Sequence, residues 1–155
     1  MTKGTILILG ATSAIARGSA EEFAKRGHPL ILASRDIKEL SRIASDLQIR
    51  FNVPVSSHAF HAEDTSSHPA FFNALFQNDK EIAGALIAFG ELGGKIHFDN
   101  FTEQEKTFRI NFIGAASALS QMASLLSKKR EGFLIGITSV AGDRGRQSNF
   151  VYGAA

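Results

Sequence analysis

Short unbroken apolar runs alternate along the chain with stretches whose apolar residues recur every three or four positions. Residues 6–9 form a continuous apolar run, as expected of a parallel strand covered on both faces, and the run ends at Gly10. A helix follows, with Ile15, Ser19 and Phe23 on one row and Ala16, Ala20 and Ala24 on the next. Gly27 stops it and Pro29 prevents its continuation. Residues 30–33 are a second strand, and Ile37, Leu40, Ile43, Ala44 and Leu47 mark a second amphipathic helix. Strand, glycine turn, helix and strand in succession make a βαβ unit. A third strand falls within 53–61, and Pro69 suits the first position of a helix whose face is Phe71, Phe72, Leu75 and Phe76. Residues 83–89 read as a fourth buried strand and 133–137 as a fifth.

Between those last two strands, Thr102-Glu103-Gln104-Glu105 is a capping box that opens a long helix running to about residue 127. Phe108, Ile110, Phe112, Ile113, Leu119, Met122, Leu125 and Leu126 cover most of its circumference. A surface helix buries one stripe, so this one is expected to pack on the sheet and on a second surface. The β/α alternation predicts an α/β fold with a doubly wound parallel sheet, which binds ligands at the carboxyl ends of its strands.

Charge and composition alter this picture little. Lys and Arg total 17 against 15 Asp and Glu, and no basic stripe with interleaved aromatics marks a nucleic-acid surface. Lys128-Lys129-Arg130 reads as a helix end, where cations complement the dipole. The lack of cysteine excludes disulfides and thiolate sites and fits a reducing, cytoplasmic setting. No unbroken apolar run approaches the ~20 residues of a membrane span, so the chain reads as not membrane-spanning. His58 and His61, on a presumed strand, point to opposite faces, and no metal site is expected. The 13 phenylalanines are unusual, but no function attaches to them.

Two places carry candidate chemistry. The turn Gly10-Ala11-Thr12-Ser13-Ala14-Ile15-Ala16 stands between a strand and a helix, where free N–H groups and the helix dipole favour a diphosphate. A plain strand–helix corner fits the same residues. Ser34-Arg35 follow the second strand, where an Arg suits a ribose 2′-phosphate or simply faces solvent. Asp36 is placed to cap the next helix. The second place is the C-terminal stretch. Ser139 lies just past the fifth strand, Tyr152 comes thirteen positions later where a helix opens, and Asn111 precedes Ser139 by twenty-eight.

This spacing, with the βαβ opening, resembles the short-chain dehydrogenase/reductase family over essentially the whole chain. The family motif is Tyr-x-x-x-Lys, and the sequence ends at Ala155, one position before that lysine. The resemblance implies a Rossmann-type NAD(P)-binding domain over residues 1–155, ending inside the active-site helix. It implies hydride transfer between NADP(H), preferred over NAD(H) on account of Arg35, and a carbonyl or alcohol substrate. Tyr152 would be acid/base, Ser139 would polarise the carbonyl, and Asn111 would hold a water in the proton relay. Cofactor contacts would fall on Gly10, Thr12, Ser13, Ala14, Ile15, Arg35, Asp64, Phe89 and Gly90. A homodimer or homotetramer would form through the long apolar helix. Without the lysine, the rest of its helix and a substrate-binding segment, these residues alone are expected to be inactive and prone to aggregate.

The sequence departs from the family in three places. Ala14 and Ala16 stand where Gly-x-x-x-Gly-x-Gly has its second and third glycines. His61 stands at the family's adenine-contacting Asp, and Ile87-Ala88-Phe89-Gly90 keeps only the glycine of an Asn-Asn-Ala-Gly turn. Within the family, Phe89-Gly90-Glu91-Leu92-Gly93, Asp64-Thr65-Ser66-Ser67-His68-Pro69 and Ala141-Gly142-Asp143-Arg144-Gly145-Arg146 resemble the reductase partner of decaprenylphosphoryl-ribose epimerase, which implies a lipid-linked keto-sugar substrate. Arg144 and Arg146 would meet a phosphate or remain solvated. A nucleotide-binding or scaffolding domain without catalysis is the competing reading, favoured by the lost glycines.

Overall fold

The computed structural model describes residues 3–78, 81–93 and 101–155. Five parallel strands lie in the order β3-β2-β1-β4-β5. They are β1 (Thr5–Leu9), β2 (Leu30–Ser34), β3 (Val55–Ala59), β4 (Ile82–Ile87) and β5 (Phe133–Gly136). The order reverses at β1, so the strand ends open a crevice between β1 and β4. Each strand lies within a residue or two of its predicted run.

The apolar runs are continuous because alternate side chains enter two different cores. Ile6 and Ile8 of β1 point to one face, with Leu30, Leu32 and Leu86. That face is covered by α1 (Ala14–Lys25) through Ala16, Ala20 and Ala24, and by α2 (Ile37–Phe51) through Leu40, Ala44 and Leu47. Leu7 and Leu9 point to the other face, with Ile31, Ala85 and Ile87. There α3 (His68–Asn78) contributes Phe72 and Leu75. Each such fully buried aliphatic or aromatic side chain contributes about 1.5–3 kcal/mol, so both faces are strongly specified. The helix ends obey the sequence signals. Gly27, at φ 79°, closes α1 with its N–H bonded to the Ala24 carbonyl and that of His28 to Phe23. Asp36 caps α2 by accepting from the Glu39 N–H at 3.0 Å.

The rest of the second face is covered by α4 (Phe101–Phe108), a π-helical segment (Arg109–Gly114) and α5 (Ala115–Lys129), which together run as one helix. Ile110, Ala118, Met122 and Leu126 are its buried row. Phe112 and Ile113 lie on the open side, 61% and 45% exposed. One expectation is corrected here. Thr102 sits inside the helix, not at its cap, because Phe101 is already helical. The π-helical segment has no signature in a pattern read at the ordinary helical period. By length and composition alone the whole helix is also apolar enough to cross a membrane. Its row of core side chains accounts for part of that apolarity.

At the helix end Arg130 turns left-handed at φ 57°, and Lys129 donates to the Ile82 carbonyl at 2.9 Å, so one cation of the basic run is used internally. Two boundaries also move. His68, not Pro69, is the first residue of α3. Tyr152 lies inside α6 (Phe150–Ala154), which opens at Phe150 after a 3-10 turn at Gln147–Asn149.

Candidate functional site

The turn leaving β1 is built around Gly10. Its φ is 78°, and a Cβ there would stand 2.5 Å from the Phe89 nitrogen. Both facts require glycine. Gly10 and Ala11 donate to the Ala33 carbonyl, locking the turn to β2. Ser13 caps α1: its Oγ accepts from the Ala16 N–H at 3.2 Å and donates to the Ala88 carbonyl at 3.3 Å, joining β1's exit to β4's. Of the four N–H groups that open a helix, those of Ala14 and Ile15 have no intrahelical acceptor and face outward at its positive end. Ala14 and Ala16 take ordinary helical backbone, since the only left-handed residue of the turn is Gly10. The two lost glycines therefore cost the turn nothing in conformation.

Above this turn lies a cavity of about 190 Å³. Of the expected cofactor residues, Gly10, Thr12, Ser13, Arg35, Phe89 and Gly90 line it. Thr12 and Ser34 bring their hydroxyls to 3.2 Å of each other, and Arg35 beside them makes no ion pair among the described residues. Ala14 and Ile15 present no side chain to the cavity; Ile15 is exposed on the other side of α1. Asp64 lies in the loop after β3, off the cavity wall, and Ser66 Oγ donates to its carboxylate, which holds the carboxyl below its usual range. Phe60, Ala62 and Glu63 form that wall instead. His61 lies beyond the end of β3 with its side chain exposed, while His58, on the strand, meets Ser56 Oγ at 3.1 Å.

Behind the same wall is a residue that sequence reasoning missed. His68 is fully buried and stacks on Phe60, ring centroids 4.7 Å apart. Its Nε2 donates to the His61 carbonyl at 3.1 Å, which leaves Nδ1 to accept from Ser117 Oγ at 2.9 Å. Burial lowers its pKa, so the neutral ring is the form this site holds. The unfolded chain takes up that proton first, and stability therefore falls as pH drops through the ordinary histidine range. Phe71, Phe72 and Phe89 also meet Phe60 ring to ring, which gives part of the phenylalanine excess a structural use.

A second pocket, of about 350 Å³, adjoins the first and shares Phe89 and Gly90 with it. It brings together Asn111, Ser139 and Tyr152. Ser139 lies past β5, and its Oγ accepts from the Ala141 N–H at 3.2 Å, leaving the hydroxyl hydrogen to donate elsewhere. The Tyr152 phenol, half-buried on α6, makes no hydrogen bond among the described residues. Asn111 sits in the π-helical segment and clasps one residue twice: Oδ1 accepts from the Glu91 N–H and Nδ2 donates to the Glu91 carbonyl, both at 2.8 Å. The Asn111 side chain thus pins the loop after β4. Glu91 is held further by Lys106 at 3.3 Å. Asn111→Asp would set a carboxylate oxygen against the Glu91 carbonyl. It is expected to cost about 1–3 kcal/mol in chemical denaturation and to weaken nucleotide binding through the loosened loop. A variant unchanged in both would show the clamp to be idle.

The arrangement agrees with the likeness to known proteins. The chain is 28% identical over 151 residues to an uncharacterised oxidoreductase of Mycobacterium tuberculosis, covering 97% of this chain and 60% of that protein. It is 27% identical over 154 residues to the NADP-dependent 3-hydroxy acid dehydrogenase of Schizosaccharomyces pombe, covering 96% of this chain and 58% of the relative. Among solved structures, a short-chain dehydrogenase from Sphingobium yanoikuyae in complex with NADPH superposes with a TM-score of 0.87 at 26% identity, over 97% of this chain and 59% of that one. The chain thus spans about three fifths of the length of these relatives. The short chain dehydrogenase family model matches residues 4–155, and the chain belongs to that family.

Proposed function

We propose that this protein is an NADP(H)-dependent oxidoreductase that interconverts a carbonyl and an alcohol, with Tyr152 as acid/base. The observation that carries the reading is the pocket in which Asn111, Ser139 and Tyr152, far apart in sequence, meet beside the nucleotide cavity. The residues present fit a dinucleotide phosphate. Gly10 leaves room for close approach to the turn, Ala14 and Ile15 offer N–H groups to a diphosphate, and Arg35 is free to meet a 2′-phosphate. The nicotinamide supplies or accepts the hydride at the substrate carbon. Ser139 donates to the carbonyl oxygen and holds it next to the Tyr152 phenol. Tyr152 then gives its proton to that oxygen as the alcohol forms, or removes it in the reverse direction. Asn111 positions the 90–91 loop that divides the two pockets. The open row with Phe112 and Ile113 is read as the contact with a second copy, giving a homodimer or homotetramer, and the protein as cytoplasmic.

For the substrate we favour an amphiphile such as a lipid-linked keto sugar. Exposed Arg144 and Arg146 lie on the loop after Ser139, with Val140, 78% exposed, close in sequence; this combination suits an anionic head and an apolar tail. Substrate-dependent oxidation of NADPH by the intact protein tests the reading. Tight nucleotide binding without turnover across small and lipid-linked ketones would favour a nucleotide-binding domain without catalysis. Arg35→Ala is expected to weaken NADPH by roughly tenfold or more and leave NADH unchanged, as for loss of one charge-assisted contact. Titration with both cofactors checks this, and equal affinity in the unaltered protein would return Arg35 to solvent.

A further inference from the structure

We infer that His68 is a positioning residue for the nucleotide cavity, a step that rests on the NADP(H) assignment. Its neutral ring sets the wall formed by Phe60, Ala62 and Glu63, and cofactor affinity falls when that ring gains a proton. His68 does not line the cavity and acts from behind it. The wall begins at Phe60, whose N–H donates to the Ser34 carbonyl at 3.1 Å and so ties it to β2. Past that point the chain has left the sheet, and the imidazole takes over. Nε2 donates to the His61 carbonyl, between Phe60 and Ala62, and the ring lies against that of Phe60. Ser117 Oγ donates to Nδ1 and fixes the ring from α5. One side chain thereby brackets the wall to the long helix.

The bracket needs one donor and one acceptor on the same ring, which neutral imidazole provides and imidazolium does not. A proton on Nδ1 would aim a second donor at Ser117 and place a charge between Phe60 and Phe72. Little around the ring would compensate it. α3 has no charged residue beyond His68, and the long helix has none between Arg109, which pairs with Glu105, and Lys128. His58 on β3 keeps to Ser56, the His61 side chain is exposed, and Glu63 lines the cavity. Asp64 favours the charged ring, but its carboxylate is engaged by Ser66, and burial of the ring outweighs it. The proton is therefore taken up by opening the 60–64 loop, where the ring meets water and regains an ordinary pKa of about 6.5. The wall is lost in that form. Nucleotide selects the closed, neutral form, so apparent affinity follows its population and declines as pH drops below about 6.5.

Titration of the intact protein with NADPH across the histidine range, about pH 7.5 to 5, tests the assignment. The unaltered protein is expected to lose affinity toward acid by at least about threefold, and by at most tenfold per pH unit, the limit for one linked proton. His68→Gln keeps a donor for the His61 carbonyl and does not titrate. It should bind nearly as tightly at neutral pH and show only the shallower slope of the nucleotide's own 2′-phosphate. His61→Gln, changed at an exposed side chain, should keep the full slope. His68→Leu leaves the His61 carbonyl and Ser117 without the ring's partners and should bind about tenfold more weakly at neutral pH. Circular dichroism establishes that it is folded; if it is not, the slopes of the unaltered protein and His68→Gln decide alone. Equal slopes in those two, or a folded His68→Leu that binds NADPH as tightly as the unaltered protein, would overturn the role of His68 and leave the cofactor assignment standing. Failure of the folded, unaltered protein to bind NADPH at neutral pH would overturn both.

Discussion

Tyr152→Phe is expected to lower kcat by 10²–10⁴-fold while the cofactor Kd moves by less than about twofold, the range associated with loss of one positioned proton donor. The substitution removes a single oxygen from a half-buried ring that makes no hydrogen bond among the described residues. The ring itself stays, and with it the packing of α6 on α4. Ser139→Ala is expected to fall by a comparable factor for a different reason. In the proposed mechanism it removes the donor to the oxygen where charge develops, and such donors are worth about 10²–10³-fold. Combined in one protein, the two changes should cost far less than the product of their separate effects, because both act on the same oxygen. Steady-state kinetics on the intact protein with a confirmed substrate decides the matter. Near-normal turnover by Tyr152→Phe would remove Tyr152 from the chemistry.

Much of this fold was legible because its signals are local. Ile6 to Leu9 read as a strand buried on both faces, and their side chains do divide between two cores. Gly27 and Asp36 announced helix ends through backbone conformation and capping, which depend on few neighbours. The long helix was harder. Its π-helical segment depends on how residues 109–114 meet the strand exits, and a periodicity count has no access to that. Its helical start at Phe101 overrode a capping box one residue further on.

The candidate site divides along the same line. Ser139, Tyr152 and Gly10 announced themselves through residue type and spacing. The wall residues Phe60, Ala62 and Glu63 and the buried His68 did not, since each acquires its role from elements distant in sequence. His68 reached the site through a bond to Ser117, forty-nine residues away. Asn111 was legible by its spacing, but nothing in Arg109-Ile110-Asn111-Phe112 says that its carboxamide will clasp the main chain of Glu91. Asp64 stays in the loop after the third strand, and nothing local marks the neighbouring Glu63 as the side chain that lines the wall.

Gly114→Ala is expected to destabilise the protein by about 1–3 kcal/mol, although alanine is the better helix former. On helical propensity alone the change would stabilise by about 1 kcal/mol. At Gly114 a Cβ would collide with the carbonyl oxygen of Ala62. That oxygen belongs to main chain and cannot swing aside, so the helix must lift from the exit of β3. Ile110 and Ala118, buried on the same helix, and the His68 bond to Ser117 would shift with it. Overpacking of this kind outweighs the propensity gain. Because Ala62 also lines the nucleotide cavity, cofactor affinity should fall together with the denaturation midpoint. Gly18 supplies the matched control: it lies in α1, and a Cβ there meets nothing within 4 Å. Gly18→Ala is therefore expected to raise stability by up to about 1 kcal/mol and leave cofactor binding alone. Chemical denaturation and NADPH titration of the two variants should give opposite signs. A Gly114→Ala that stabilises as Gly18→Ala does would show that the long helix does not press on the β3 exit, and would take away the support assigned to that wall of the cavity.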